Sequence, residues 1–341
     1  MQWFVWAVLA AHLLSVNLAA GGPLAMVLIR GRGPLSSHAR VLGQRVIRWT
    51  MGAFLVGTLL GLILLAVLWW ADPERWSQTL WPQFRGKLLW GAGQLVTFVV
   101  GWALADRVWR RQPDGAPMGW KFPALAIFSA TNLLYHFPPL FTLLASVQHG
   151  QLAFEGPLTA AAFRQWAFQP PTASLWVHVT LAAVAYAALV IAQLALSEPD
   201  PSPTTAAPQS PDPAGVRWGQ RGCQVAALLT VLQLPVGFWV FVSQPSNLQR
   251  QWIGGDSVST VLLFAGVALT VYLLNQLSEQ FWATADLPSV RRSLVIMTLI
   301  VLLMTGALSR ARRLPSEERV SFASSCDDLI PCIADDTPWT A

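Results

Sequence analysis

The sequence predicts an all-α fold, a polytopic transmembrane helix bundle of about eight spans. Three observations carry that expectation. Of the 341 residues, 54% are hydrophobic and only 11% are charged, against about a quarter charged in ordinary soluble domains. The apolar residues gather into long runs, and roughly 20 such residues cross a hydrocarbon core of about 30 Å as helix. The 18 Trp suit the two water–lipid interfaces, where an apolar ring with a polar edge is comfortable. The formal charge of +5 is spread through short loops, which speaks for membrane topology and against a nucleic-acid partner. Three Cys in this length exclude a disulfide-rich scaffold, and no C-x-x-C-H run is present to attach a c-type haem.

The expected spans follow in order. Trp3–Ile29 comes first; it lacks a basic n-region and is too long for the core of a signal peptide, so it reads as a retained span. Gly21, Gly22 and Pro23 are expected to end or loosen it. Val46–Trp70 carries Ala53, Gly57 and Gly61, a small-xxx-small pattern that reads as helix packing. Leu88–Trp109 and Lys121–Val147 follow, the latter bent at Pro138 and Pro139. Ala173–Leu196 is the fifth. The last three are Gln220–Val242, interrupted by Pro235, then Ser257–Leu277 and the short Ser293–Leu308.

This divides the chain into a five-span bundle over 1–196 and a three-span membrane region over 216–309. Between them lies a Pro/Ser/Thr/Ala-rich linker, 197–215, read as disordered and cytoplasmic. A polar tail, 310–341, carries Cys326 and Cys332. Lys and Arg weight the loops that become cytoplasmic if the N-terminus is outside, with Arg30, Arg32, Arg40, Arg45, Arg48, Arg107, Arg110 and Arg111 among them. The expected location is thus the inner (plasma) membrane, multi-pass, N-terminus out. The basic residues after the eighth span, Arg310, Arg312, Arg313 and Arg319, run against that rule.

Three of the five His fall inside spans: His12, His136 and His178. At 1.5 Å per residue from the outer end, His12 lies roughly 14 Å deep, His136 roughly 17 Å and His178 roughly 8 Å. His38 and His149 fall in loops. Polar groups in lipid are costly and generally face a partner or a site. Haem b is apolar, fits between helices and takes one or two imidazoles from facing helices. One or two b-type haems are therefore expected, with His12, His136 and His178 as iron ligands. Ser15 and Ala19 share the His12 face at i+3 and i+7 and would leave room there for a flat cofactor. Asn132 shares the His136 face at i+4, as a supporting residue. The rival for each His is a hydrogen bond to a neighbouring helix. No His lies near a Cys or carboxylate at zinc-site spacing. No span has a carboxylate near its middle, which weighs against a proton-driven carrier.

Several stretches are similar to one family. AHLLSVNLAAGGPL resembles the first helix of subunit I of the cytochrome bd-type quinol oxidases. There a haem-ligating His is followed by a Pro five positions on and a Gly nine on; here His12, Asn17 and Gly21 stand at those places. RWTMGAFLVGTLLG looks like the family's second helix through Phe54, Gly57 and Gly61, and SATNLLYHF like its fourth, with Thr131 for Ser. LWVHVTLAAVAYAALVIAQ resembles the fifth helix, whose low-spin haem b ligand maps to His178. The resemblance covers roughly 1–196 and adds Asn17 and Gly21 to the site. It also implies a Met partner for the low-spin haem, for which Met304 is a better candidate than Met297.

The family's acidic residues after the second-helix glycines are replaced by Leu62, Ile63 and Leu64, and SQPSNLQRQWIGGDS lacks the Lys and Glu of its quinol loop. Dioxygen reduction is accordingly not expected. The expected function is electron transfer between membrane quinol and an external acceptor such as a c-type cytochrome, within a respiratory complex. The rivals are a cofactor-free scaffold or assembly subunit, and a transporter.

Overall fold

The structure, a computed structural model, describes residues 2–30, 36–113, 115–197 and 213–312. It is helical, with no strand among the described residues. In chain order the helices are α1 (Gln2–Arg30), α2 (Ser37–Ala71), α3 (Pro73–Arg75), α4 (Trp81–Arg111), α5 (Lys121–Gln148), α6 (Ala160–Ala167), α7 (Pro170–Leu196), α8 (Pro213–Ser243), α9 (Ser246–Arg250), α10 (Ser257–Trp282) and α11 (Leu287–Ala311). A π-helical turn, Trp76–Leu80, joins α3 to α4, and another, Gln251–Gly255, lies between α9 and α10. The long helices have 25 to 35 residues, and 25 residues reach about 37 Å. Seven described segments are long and apolar enough to cross a membrane. The remaining long helix, α5, is diluted by Asn132, Tyr135, His136, Pro138 and Pro139, yet it packs on α4, α1 and α7 as a full member of the bundle.

Local sequence sets the helix ends. Ser36 Oγ accepts from the Ala39 amide, Thr159 Oγ1 from Ala162 and Asp256 Oδ2 from Ser259, each satisfying an amide that the first turn leaves free. Pro in the first turn opens α4, α7 and α11.

Small residues set the packing. At Gly21 an added Cβ would stand 2.1 Å from the Ala183 carbonyl oxygen of α7, and at Gly222 of α8 one would stand 2.7 Å from the Ala188 carbonyl oxygen. The buried alanines of α7 (Ala183, Ala185, Ala187, Ala188, Ala192) let α1 and α8 approach it this closely. With Gly22 against Thr50 and Gly101 against Ser129, the pairs α1–α2 and α4–α5 close in the same way. Indole N–H groups then pin helix to helix. Trp6 donates to Leu302 O at 3.1 Å, Trp102 to Ile47 O at 3.3 Å, Trp109 to Arg40 O at 3.0 Å and Trp176 to Leu134 O at 2.6 Å.

Several expectations need correction. Gly21, Gly22 and Pro23 do not end α1, which runs on to Arg30; the glycines are contact points for α7 and α2. Pro235 does not interrupt α8. His38 lies in the first turn of α2, not in a loop, because α2 begins well before Val46. Trp102 and Trp109 are fully buried in the bundle, whereas Trp70, Trp120 and Trp282 are exposed near helix ends. The first five and last three long helices pack as one bundle, with α8 and α11 both against α7 and α1. Helix α8 starts at Pro213, inside the stretch read as linker; 198–212, and the tail from 313 with Cys326 and Cys332, lie outside the described residues. Arg310 belongs to α11, where it holds Asp256 through two hydrogen bonds of 2.7 and 3.0 Å.

Candidate functional site

The three membrane histidines have three different surroundings. His12, half-buried on α1, places Nδ1 2.8 Å from the Gly57 carbonyl oxygen of α2. The face expected to hold a flat cofactor is filled by α2. A Cβ at Gly61 would stand 3.0 Å from His12 Cε1, and one at Gly57 would stand 3.4 Å from Ser15 Cβ. Ser15 Oγ donates to Ala11 O of its own helix, and Ala19 is buried in the core. The small-xxx-small pattern of α2 thus takes the room that the small residues of α1 leave. Asn17 is buried, and Gly21 serves the α7 contact.

His136 is buried on α5. Its Nε2 lies 3.1 Å from the Lys87 carbonyl oxygen of α4, and its ring packs against Phe137, Phe163 and Gly91. Lys87 Nζ lies 5.2 Å from the centre of the Phe163 ring, closing the same corner. Asn132 does not support His136; its amide donates to Phe128 O of its own helix. His12 and His136 each bond a main-chain carbonyl of a different helix.

His178 differs. Its Nδ1 is buried and has no hydrogen-bond partner. It lines a cavity of about 80 Å³ between four helices. Helix α7 contributes His178, Ala182 and Tyr186; α8 contributes Thr230 and Gln233; α10 contributes Thr270 and Leu273; α11 contributes Met297, Ile300, Val301 and Met304. Both Thr hydroxyls donate to their own helices, at Ala226 O and Gly266 O. Gly266 lets Met304 lie close, since a Cβ there would be 2.8 Å from Met304 Cε.

This donor set suits a haem iron: an imidazole and two thioethers reach one space with mostly apolar walls. Roughly 300–1,000 Å³ is usual for small-molecule sites, so at about 80 Å³ this space does not admit a porphyrin as it stands. Among the described residues no group of three or more His, Cys, Asp and Glu stands ready to hold a metal ion.

Sequence reasoning singled out His178 and Met304 but missed the cavity between them. Its signals were Thr230 and Gln233 at i, i+3, His178, Ala182 and Tyr186 at i, i+4, i+8, and Met297 and Met304 at i, i+7, each set on one helix face. What sequence lacks is the order in which α7, α8, α10 and α11 pack. No family model, no curated protein and no solved structure matches this chain, so the likeness to the bd-type oxidases stands on the quoted residues alone.

Proposed function

We propose that this chain is a multi-pass membrane protein of the plasma membrane, N-terminus out, that binds haem b and carries electrons between membrane quinol and an external acceptor such as a c-type cytochrome. The observation that supports it most is the buried, unpartnered Nδ1 of His178 in a cavity shared with Met297 and Met304. An orphaned imidazole nitrogen in lipid costs free energy that a bound ligand would recover. His178 and Met304 would hold the iron, and Ala182, Leu273, Ile300 and Val301 would keep water away from it. Bound there, haem b supplies one-electron chemistry, while the protein sets orientation and potential.

A reduced-minus-oxidised absorption spectrum of the protein purified from haem-supplied cells tests this. The expected result is a sharp b-type band that His178→Ala abolishes and Met304→Leu shifts, with His12→Ala and His136→Ala leaving it in place. A folded, haem-supplied preparation without any band overturns the reading. One observation favours the cofactor-free scaffold instead: His12 and His136 already have main-chain partners and close contacts. That rival predicts a colourless protein that tolerates His178→Ala.

A further inference from the structure

The corner where α4, α5 and α6 meet brings two cations together without a carboxylate. His136 of α5 bonds the Lys87 carbonyl oxygen of α4 at 3.1 Å, and its ring centre lies 5.5 Å from that of Phe163 on α6. Lys87 Nζ in turn stands 5.2 Å from the centre of the Phe163 ring. His136 and Phe163 are both buried, so they form a fixed floor under the half-buried Lys87. Arg164 follows Phe163 on α6 and is exposed. Its guanidinium acts on the Lys87 ammonium as a like charge. Among the described residues neither cation is in an ion pair or donates a side-chain hydrogen bond. Like charges side by side repel, the more so where one is drawn out of water. An anion between them would remove that repulsion and accept a charge-assisted hydrogen bond from each.

The position of the pair says which anion. Lys87 lies six residues into α4, about 9 Å along its axis. Exposed Trp81 and Phe168 mark the same end of the bundle, the level at which aromatic rings meet lipid headgroups. Trp90, three residues beyond Lys87 on the same helix face, is exposed and apolar. Gly86 and Gly93, about a turn to either side of Trp90, have nothing within 4 Å of where a Cβ would stand. Helix α4 thus offers an open apolar strip leading from Lys87 into the membrane. We propose that Lys87 and Arg164 bind the phosphate of an anionic phospholipid, with an acyl chain laid along the Trp90 strip. Basic pockets on membrane helices recognise anionic headgroups in this way. A free phosphate ion offers the same oxygens but makes no use of the strip. The site does not depend on the haem reading.

The test is binding to the delipidated full-length protein in a neutral detergent, read by native mass spectrometry and by thermal unfolding. The probes are phosphatidylglycerol, phosphatidylcholine and inorganic phosphate. Phosphatidylglycerol is expected to bind and to raise the melting temperature. Lys87→Gln and Arg164→Gln are each expected to weaken it about fivefold, the worth of one basic residue near an anionic lipid surface. Arg85→Gln is the control: this exposed cation stands two residues before Lys87, about 200° round the helix, and its loss should leave binding unchanged. Equal weakening by Arg85→Gln shows general surface attraction and overturns the site. Binding that neither Lys87→Gln nor Arg164→Gln weakens overturns it as well, as does phosphatidylcholine that binds as tightly as phosphatidylglycerol. Inorganic phosphate that stabilises the parent as well as the lipid does at the same concentration identifies a free-anion site and overturns the lipid assignment. Should Lys87→Gln not fold, the exposed Arg164→Gln decides.

Discussion

Replacing Trp176 with Phe isolates one hydrogen bond whose loss the membrane cannot repair. In α5 the amide of residue 138 would ordinarily donate to Leu134 O, but residue 138 is Pro and has no N–H. The indole of Trp176 on α7 takes that place at 2.6 Å. Leu134 is buried, so no water can substitute for the lost donor. Stranding a buried acceptor costs about 1–3 kcal/mol. Trp6→Phe is the control. It removes an indole bond to Leu302 O, but that carbonyl lies inside α11 and keeps its own helical donor at Gly306. Interhelical bonds of that kind average about 0.6 kcal/mol in membranes. Trp176→Phe should therefore cost about 1–2 kcal/mol more than Trp6→Phe in reversible detergent unfolding. Pro138→Ala restores the missing N–H, so in the Trp176→Phe background it should recover most of that excess, a positive coupling in the double-mutant cycle. Equal costs for the two Trp variants, with no recovery by Pro138→Ala, would refute the reasoning.

Two further outcomes follow from the same geometry. Gly21→Ala drives a Cβ into the Ala183 carbonyl of α7 and should lower unfolding stability by about 1–3 kcal/mol, whereas Gly93→Ala, with nothing within 4 Å, should be neutral or gain up to about 1 kcal/mol; similar melting shifts for both would contradict the packing described. At the α10–α11 end, the Arg310 guanidinium, with help from the Ser259 hydroxyl and amide, holds the Asp256 carboxyl well below the usual carboxylate range against the opposing effect of burial. A depressed carboxyl adds stability above its unfolded pKa of about 3.9 and loses it as pH falls toward the folded value. The melting difference between the parent and Asp256→Asn should therefore be flat from pH 5 to 8 and shrink below pH 4; a difference that grows on acidification would be the wrong sign.

The eight long helices were legible because lipid demands long apolar runs, and those are written in composition. Their ends were less so. Arg40 and Arg45 fell before the expected start at Val46, yet they lie on α2, which extends past the apolar run. Gly21–Gly22–Pro23 looked like a helix end because glycine and proline weaken isolated helices, but here close approach to α7 and α2 decides. The His12 face was correctly seen as small, but periodicity cannot say what lies upon it, and Gly57 and Gly61 of α2 do. The His178 cavity depended on four helices meeting, which no single face reveals.

The alanine-rich α7 has a consequence for biogenesis. Its partner α8 is the next long helix, but the Gly21 contact on α1 comes from the first. That docking cannot form until α2, α4 and α5 have also been made. Contacts between distant parts of the chain form slowly because a long loop must close first. Until then Gly21 of α1 has no α7 backbone to pack against, so the close packing of the first helix is completed only with the arrival of the fifth long one.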